Sequence, residues 1–270
     1  MELATARTYG PAMTVQPVGS QLRQWRQRRH LSQLDLAGDA QISARHLSFV
    51  ETGRAQPSRE MILHLADQLD IPMRERNVLL VAGGYAPIFS ERNLGDPALA
   101  PARAAIDAVI EGHKPYPCFA LDRHWNVVAS NSALQELYEG VAEELLRPPV
   151  NAMRLSLHPN GVAPRIENLG EWRAHLLHQL RQRIELTADP ALIALQKEVL
   201  AYPGPTAPPA ISADAIVIPF KVRIKAGLLS FFTTTMMFGS PVDVTLSELA
   251  IESFFPADEA TRALVKKLSA

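Results

Sequence analysis

The chain is short of several things at once. Its 270 residues hold a single cysteine, Cys118, so no disulfide can form within it, and a reducing compartment fits. Nothing at its start reads as a signal peptide, and no run approaches the ~20 apolar residues of a membrane span, so a cytoplasmic protein without a membrane partner is expected. Neither sign of charge dominates: 27 Lys+Arg stand against 28 Asp+Glu. That balance argues against a broad nonspecific surface for polyanions and leaves room for a modest local patch. Met1 to Val78 carries 10 basic and 8 acidic residues, the remainder 17 and 20. There is no Gly-rich phosphate loop, no GxSxG elbow and no HExxH pair, and neither catalysis, metal nor cofactor is expected. No internal repeat occurs, and the one proline-rich stretch, TAPPA near Pro208, reads as a short loop.

What is present is punctuation. In LSQLDLAGDAQISARHLSFVETGRAQPS, Leu31 to Ser58, Ser32 and Asp35 are spaced as a capping box, which predicts a helix from Gln33 with Leu34, Leu36 and Ala37 on its apolar side. Gly38 to Gln41 reads as a tight turn before Ile42. Ser43 offers a second cap. Leu47 and Val50 then point inward, leaving Ala44, Arg45, His46, Ser48 and Phe49 on the other side until Thr52-Gly53 ends the helix. Ser58, after Pro57, opens a pattern of Ile62, Leu65, Ala66 and Leu69, and Leu22, Trp25 and Arg26 lie on an upstream helix starting near Ser20. Two helices joined by so short a turn, the second with a free polar face, form a helix-turn-helix, whose second helix enters a DNA major groove.

These residues resemble a family. LRxxR, LSQxxLA, IS and ETGRxxPS are similar to the five-helix DNA-binding domain of lambda-repressor-like, Xre-type bacterial regulators, over about Gly19 to Gly83. One departure is Gln41, where the family often has glycine. The resemblance implies that Gln33 touches a phosphate or base edge and that Ser43, Ala44, Arg45, His46, Ser48 and Phe49 face the operator. Arg45 can then donate two bonds to a guanine edge, worth about 1–3 kcal/mol of discrimination, while Arg54 and Arg59 hold phosphates. Arg26 and Glu51 match the family's internal ion bridge. The competing reading is a solvated helix face on a small protein-binding bundle.

With 47% hydrophobic residues, 270 residues suffice for about two domains. The boundaries expected are a flexible 1–18, a helix-turn-helix domain over 19–84, a linker over 85–101 (within GGYAPIFSERNLGDPALAP) and a second domain over 102–270. There a helix from Ala102 to Glu111 precedes a turn at Pro115 to Pro117. CFALDRHWNVVAS reads as two strands about Asp122-Arg123-His124, and Asn131 as the cap of the next helix. Leu169, Trp172, Leu176, Leu180 and Ile184 recur with helical spacing. AIVIPFKVRI and LLSFFTTTMMF read as strands joined at Lys225 to Gly227, SELAIESFF as another, and Asp258 as the cap of a last helix. The fold class expected is α+β overall: an all-α five-helix domain, then an α+β domain with an antiparallel sheet covered on one face.

This half resembles a second family. HKPYPCFALDRHWNVVASN, LHPNGVAPRIENLGEWRAHLL and SFFTTTMMFGSPVDVTLSELAIESFFPADE look like the ligand-binding domain of MmyB-like transcription regulators, from about Ala102 to Leu264. The resemblance implies a PAS-like fold and an apolar small-molecule ligand, such as a fatty acid. Phe119, Trp125, Trp172, Phe231, Phe232, Met236, Met237 and Phe238 are candidates to line its cavity, against the alternative of plain core. Arg154 and His158, four apart, with Arg165 after them, are candidates to meet a carboxylate head group. Alternatively, Arg154 and Arg165 bridge Glu167 or Glu171 at the surface. His175 and His178 share a helix face, with His113 and His158 elsewhere, but three-residue spacing alone is a weak metal signature. Cys118 reads as a small core residue. A homodimer on two half-sites of double-stranded DNA follows from the helix-turn-helix reading. The rival reading is a DNA-binding adaptor whose second domain holds no ligand and binds a protein, such as an RNA polymerase subunit.

Overall fold

The computed structural model describes residues 16–205 and 217–269. The first fifteen residues of the expected flexible start, the TAPPA loop and the first two residues of AIVIPFKVRI lie outside them. The chain divides into two compact units, Met1–Phe89 and Ser90–Ala270.

The first unit is five helices: α1 (Val18–Arg28), α2 (Gln33–Asp39), α3 (Ala44–Glu51), α4 (Arg59–Gln68) and α5 (Met73–Ala82). Three of them start where serines announced them. Ser32 accepts from the Asp35 amide and donates its own amide to the Asp35 carboxylate, and Ser43 and Ser58 accept from the amides of His46 and Met61. Each such cap is worth about 1 kcal/mol. Leu22, Leu36, Leu47, Ile62, Leu65, Leu79 and Leu80 are fully buried between the helices. Gly19 lets α1 lie against α3, since a side chain there would collide with the Val50 carbonyl.

Two local readings need correction. Gly38 and Asp39 belong to α2, so the turn begins at Ala40, whose amide closes onto the Leu36 carbonyl. Leu34, expected on the apolar side, is 73% exposed; of α2 only Leu36 and Ala37 are buried. Gln41 sits in the turn at φ 52°, the left-handed region where glycine is at ease.

A buried ion pair holds the unit. Arg26 donates from Nε and Nη2 to the two carboxylate oxygens of Glu51 at 2.6 and 2.9 Å, and from Nη1 to the Leu31 carbonyl at 2.7 Å. Gln33 adds a donor to Glu51 Oε2 at 2.8 Å, so one carboxylate ties α1, the start of α2 and the end of α3.

The second unit is built on five antiparallel strands, β1 (Cys118–Leu121), β2 (Val127–Ser130), β3 (Phe220–Ile224), β4 (Gly227–Met237) and β5 (Ala250–Pro256), in the order β2-β1-β5-β4-β3. Around it run α6 (Ala100–Gly112), α7 (Ala152–Leu157), α8 (Leu169–Thr187), α9 (Pro190–Leu200), the single turn α10 (Val244–Ser247) and α11 (Glu259–Leu268). This is the expected α+β arrangement with an antiparallel sheet. Alternation along the strands gives two faces. Phe119, Leu121, Phe220, Phe231 and Phe254 pack on one face with Trp172, Leu176 and Leu180 of α8 and Leu192, Leu195 and Val199 of α9. Cys118, Ala120 and Ile251 pack on the other with Ile106 and Ile110 of α6. The sheet is therefore covered on both faces at β1 and β5, not on one.

Other expectations also shift. Asn131 makes no cap bond; its side chain accepts from the Cys118 amide and donates to the Ile110 and Tyr116 carbonyls, and the segment after it, Ser132–Tyr138, is a 3₁₀ helix. SELAIESFF is split: α10, capped by Asp243, ends at Ser247, and the strand starts at Ala250. Asp258 does cap α11, accepting from the Thr261 amide. In the stretch 90–101, Ser90 bridges Asp243, and Arg92 donates to the Asp243 carboxylate at 2.9 Å.

Glu51→Ala strands a buried guanidinium and removes the acceptor of Gln33. The expected outcome in urea unfolding of the full chain, followed by helical circular dichroism, is a loss of about 3–5 kcal/mol in the transition of the first unit. An unchanged transition contradicts this account of the ion pair.

Candidate functional site

On α3 the side chains divide as its cap and burial dictate. Leu47 and Val50 are buried, Arg45 is exposed, and Ala44, His46, Ser48 and Phe49 are half-buried along the free side. Phe49 is flanked by two guanidinium groups, Arg45 at 5.3 Å and Arg54 at 5.9 Å from its ring centroid. Such stacking is worth about 0.5–1 kcal/mol at an exposed site, little enough to surrender to a stronger acceptor. Neither arginine forms a salt bridge among the described residues. Arg59 is exposed at the first position of α4, and Ser43, also exposed, has its hydroxyl engaged at the cap. Gln33 lies at the start of α2, where its amide nitrogen is spent on Glu51. The structure thus gathers Ser43, Ala44, Arg45, His46, Ser48, Phe49 and Arg54 on and just beyond one helix, with Gln33 and Arg59 at the starts of its neighbours.

The second unit contains a small, largely apolar cavity of about 80 Å³, open on one side, between the inner face of the sheet and α8. Phe119, Trp125 and Trp172 line it together with Leu176, Phe220 and Phe254. Trp125 reaches it from a tight turn in which the Asp122 carboxylate accepts the amides of His124 and Asn126, holding Trp125 at φ 68°. The Trp172 indole donates to Ser156 Oγ at 2.9 Å, and its ring lies 5.4 Å from that of His175. Burial, and then the neighbouring His178, holds the His175 pKa below its ordinary value. Burial pushes the Tyr138 phenol, also on the wall, up to about 12.

The other expected lining residues lie elsewhere. Phe232 is on the outer face, stacked on Phe255 at 5.5 Å. It pairs with Phe255 across β4 and β5, one residue out of step with the inward-facing Thr233 and Phe254. Met236 is about half exposed on the outer face, whereas Met237, equally exposed, lines the vestibule outside the inner cavity. Arg154 points away from the cavity and forms a two-bond ion pair with Glu198, at 2.7 and 2.8 Å. Hydrogen bonding raises the Arg154 pKa and lowers that of Glu198, while burial, then Glu198, pushes Tyr202 up to about 12. His158 packs edge-on against Tyr202 at 4.9 Å. Arg165 donates to the Leu137 carbonyl. Cys118 is fully buried, its thiol pushed up by that burial and 3.4 Å from Ser253 Oγ. His175 and His178 meet no third ligand: among the described residues no three His, Cys, Asp or Glu side chains gather to hold a metal.

Sequence reasoning missed the polar groups that do reach the cavity: His175 as a wall residue, Gln179, Thr233 and Glu252. Glu252 carried a usable signal. It sits two residues before Phe254 on β5, opposite Phe119 on β1, so strand alternation places its carboxylate on an aromatic face. Thr235 Oγ1 donates to its Oε1 at 2.7 Å. Burial raises its pKa, and the Thr235 bond offsets part of that rise. Leu121, Trp125, Gln179 and Glu252 are shared with an outer vestibule whose wall includes Arg183 and Thr235.

Residues 102–268 match the family model of the MmyB-like transcription regulator ligand binding domain, and residues 17–79 match that of a helix-turn-helix domain. No curated protein matches the chain. A solved structure of an RNA-binding light-oxygen-voltage receptor aligns over 93% of this chain at 14% identity and a TM-score of 0.24, a likeness that carries no argument. The chain spans 64% of that receptor's length.

Proposed function

We infer that this chain, which belongs to the MmyB-like transcription regulators, binds an operator through α3 and regulates that binding through an apolar small molecule held in its second unit. The single observation that carries the ligand half is the open, aromatic-walled apolar cavity beneath the sheet. A fatty acid, as the resemblance implies, matches the apolar walls. Its head group would lie outside the inner cavity, whose lining has no lysine or arginine, and Arg183 in the vestibule is the cation nearest that route. Arg154 is already committed to Glu198.

In the DNA half, Arg45 leaves the Phe49 ring to donate to a guanine edge, and Arg54 and Arg59 neutralise phosphates. Ser43, Ala44, His46, Ser48 and Phe49 form the surface against the groove, and Gln33 presents its free amide oxygen nearby. A symmetric dimer on half-sites about one helical turn apart is the operator-bound form. The ligand acts by binding one arrangement of that dimer more tightly than another, which shifts the population that reads DNA. A second reading, an adaptor whose second unit docks on a protein such as an RNA polymerase subunit, finds its support in the exposed Met236 and Val242.

Two experiments separate these readings. Mass spectrometry of a solvent extract of the purified full chain is expected to find an apolar molecule near one per chain. A clean extract together with capture of polymerase supports the adaptor. Operator selection from random DNA is expected to show that Arg45→Ala changes the preferred bases, at a cost of about 1–3 kcal/mol on the original site. Arg59→Ala should weaken all sequences alike. An Arg45→Ala variant that selects the same site with undiminished affinity sinks the assignment of Arg45.

A further inference from the structure

Phe49 is the one large apolar side chain on the free side of α3, where Ala44, Arg45, His46 and Ser48 are its neighbours. It is half-buried, and what borders its ring on the open side is charge: Arg45 and Arg54 are both exposed, with guanidinium carbons 5.3 and 5.9 Å from the ring centroid. Arg45 reaches the ring from one turn back along the helix. Arg54 returns to it through Gly53, whose φ of 74° lets the Arg54 and Ala55 amides donate to the Phe49 carbonyl at 2.8 and 3.1 Å. Phe49 is thus tied to both arginines, to Arg45 by its ring and to Arg54 by ring and carbonyl.

Against DNA these three side chains have unlike needs. A guanidinium finds acceptors on a guanine edge or a phosphate. A phenyl ring neither donates nor accepts, so the feature of a major-groove base edge that suits it is the C5 methyl of thymine. That methyl projects from the backbone side of the base edge, between the acceptors nearer the middle of the groove and the phosphates of its own strand. With Arg45 on a guanine edge and Arg54 on a phosphate, the ring tied to both lies over that position. Arg45 and Phe49 are four residues apart on one face, about 6 Å along the helix axis, which corresponds to about one or two base-pair steps.

Resting on the helix-turn-helix reading above, we propose that Phe49 is a specificity-determining residue that reads the methyl of a thymine lying one or two base pairs from the guanine met by Arg45. Once Arg45 has left the ring for that guanine, the methyl takes its place against the ring, and Arg54 anchors Phe49 to the strand that carries the thymine.

The test uses the full chain and a site selected from random DNA, with affinity read by fluorescence anisotropy at one salt concentration. The guanine in question is the base whose preference Arg45→Ala changes. Each thymine near it is replaced in turn by deoxyuridine, which keeps the base pairing and removes the methyl alone. One such position in each half-site is expected to lose about fourfold in affinity, the scale of one buried carbon. In Phe49→Ala that position should become indifferent to the methyl, and in Phe49→Leu, which keeps an apolar contact, part of the loss should remain; both variants are first matched to the parent chain in melting temperature. A selected site with no thymine within two base pairs of that guanine overturns the proposal. So does a parent chain indifferent to deoxyuridine at every such position, or a loss that persists undiminished in Phe49→Ala. In each of these cases binding to the selected site leaves the helix-turn-helix reading standing, whereas a full chain that selects no DNA at all overturns both.

Discussion

The first unit depends on one buried carboxylate. Glu51 accepts two bonds from Arg26 and one from Gln33, so the last turn of α3, the last turn of α1 and the first residue of α2 share a fixed point. Arg26 and Glu51 are only 7% and 4% exposed. Such a pair adds little net stability over a well-packed apolar substitute, but losing one partner is severe because the other is left charged and dry. Its use here is geometric. It sets the angle at which α3 leaves the bundle, and hence the direction of Arg45 and Phe49 on the free side.

The second unit makes the opposite use of a carboxylate. Its sheet and α8 border a largely apolar space with Glu252, Thr233, Gln179 and His175 among the few polar groups on its wall. Glu51 is saturated by donors of its own unit; Glu252 has one donor and an open oxygen. The first arrangement fixes a shape, and the second leaves a place for something else. A regulator needs both: a rigid reading head, and a site whose occupation carries free energy to be spent on a conformational choice.

How much of this was legible depended on the distance over which each signal acts. Caps at Ser32, Ser43, Ser58 and Asp258 act within three residues, so the helix starts could be read directly. The α9 start at Asp189-Pro190 carried the same kind of signal, an acidic cap with proline at the first helical position, and was passed over. The turn at Ala40 was misplaced by two residues because Gly38 suggested a break that the helix tolerates. The families were legible in long ordered motifs, and the antiparallel sheet in the strands those motifs contain. The site residues were another matter. Arg154 finds Glu198 forty-four positions away, and the facing of Phe232 and Met236 depends on the register between β4 and β5. A one-residue step in that register exchanges core for surface. Local pattern cannot settle either one, which is why aromatic composition suggested a cavity yet only Phe119, Trp125 and Trp172 of the eight apolar candidates line it.

The central claim is that occupancy of the cavity and DNA binding are coupled. The direct measurement is the affinity of the full chain for a site selected from random DNA, before and after its cavity is emptied of extractable small molecules, at one salt concentration. The account predicts that the two affinities differ by about 5- to 150-fold, the usual range of such coupling, and that adding the molecule back restores the first. Equal affinities, with a molecule demonstrably present before and absent after, would contradict it.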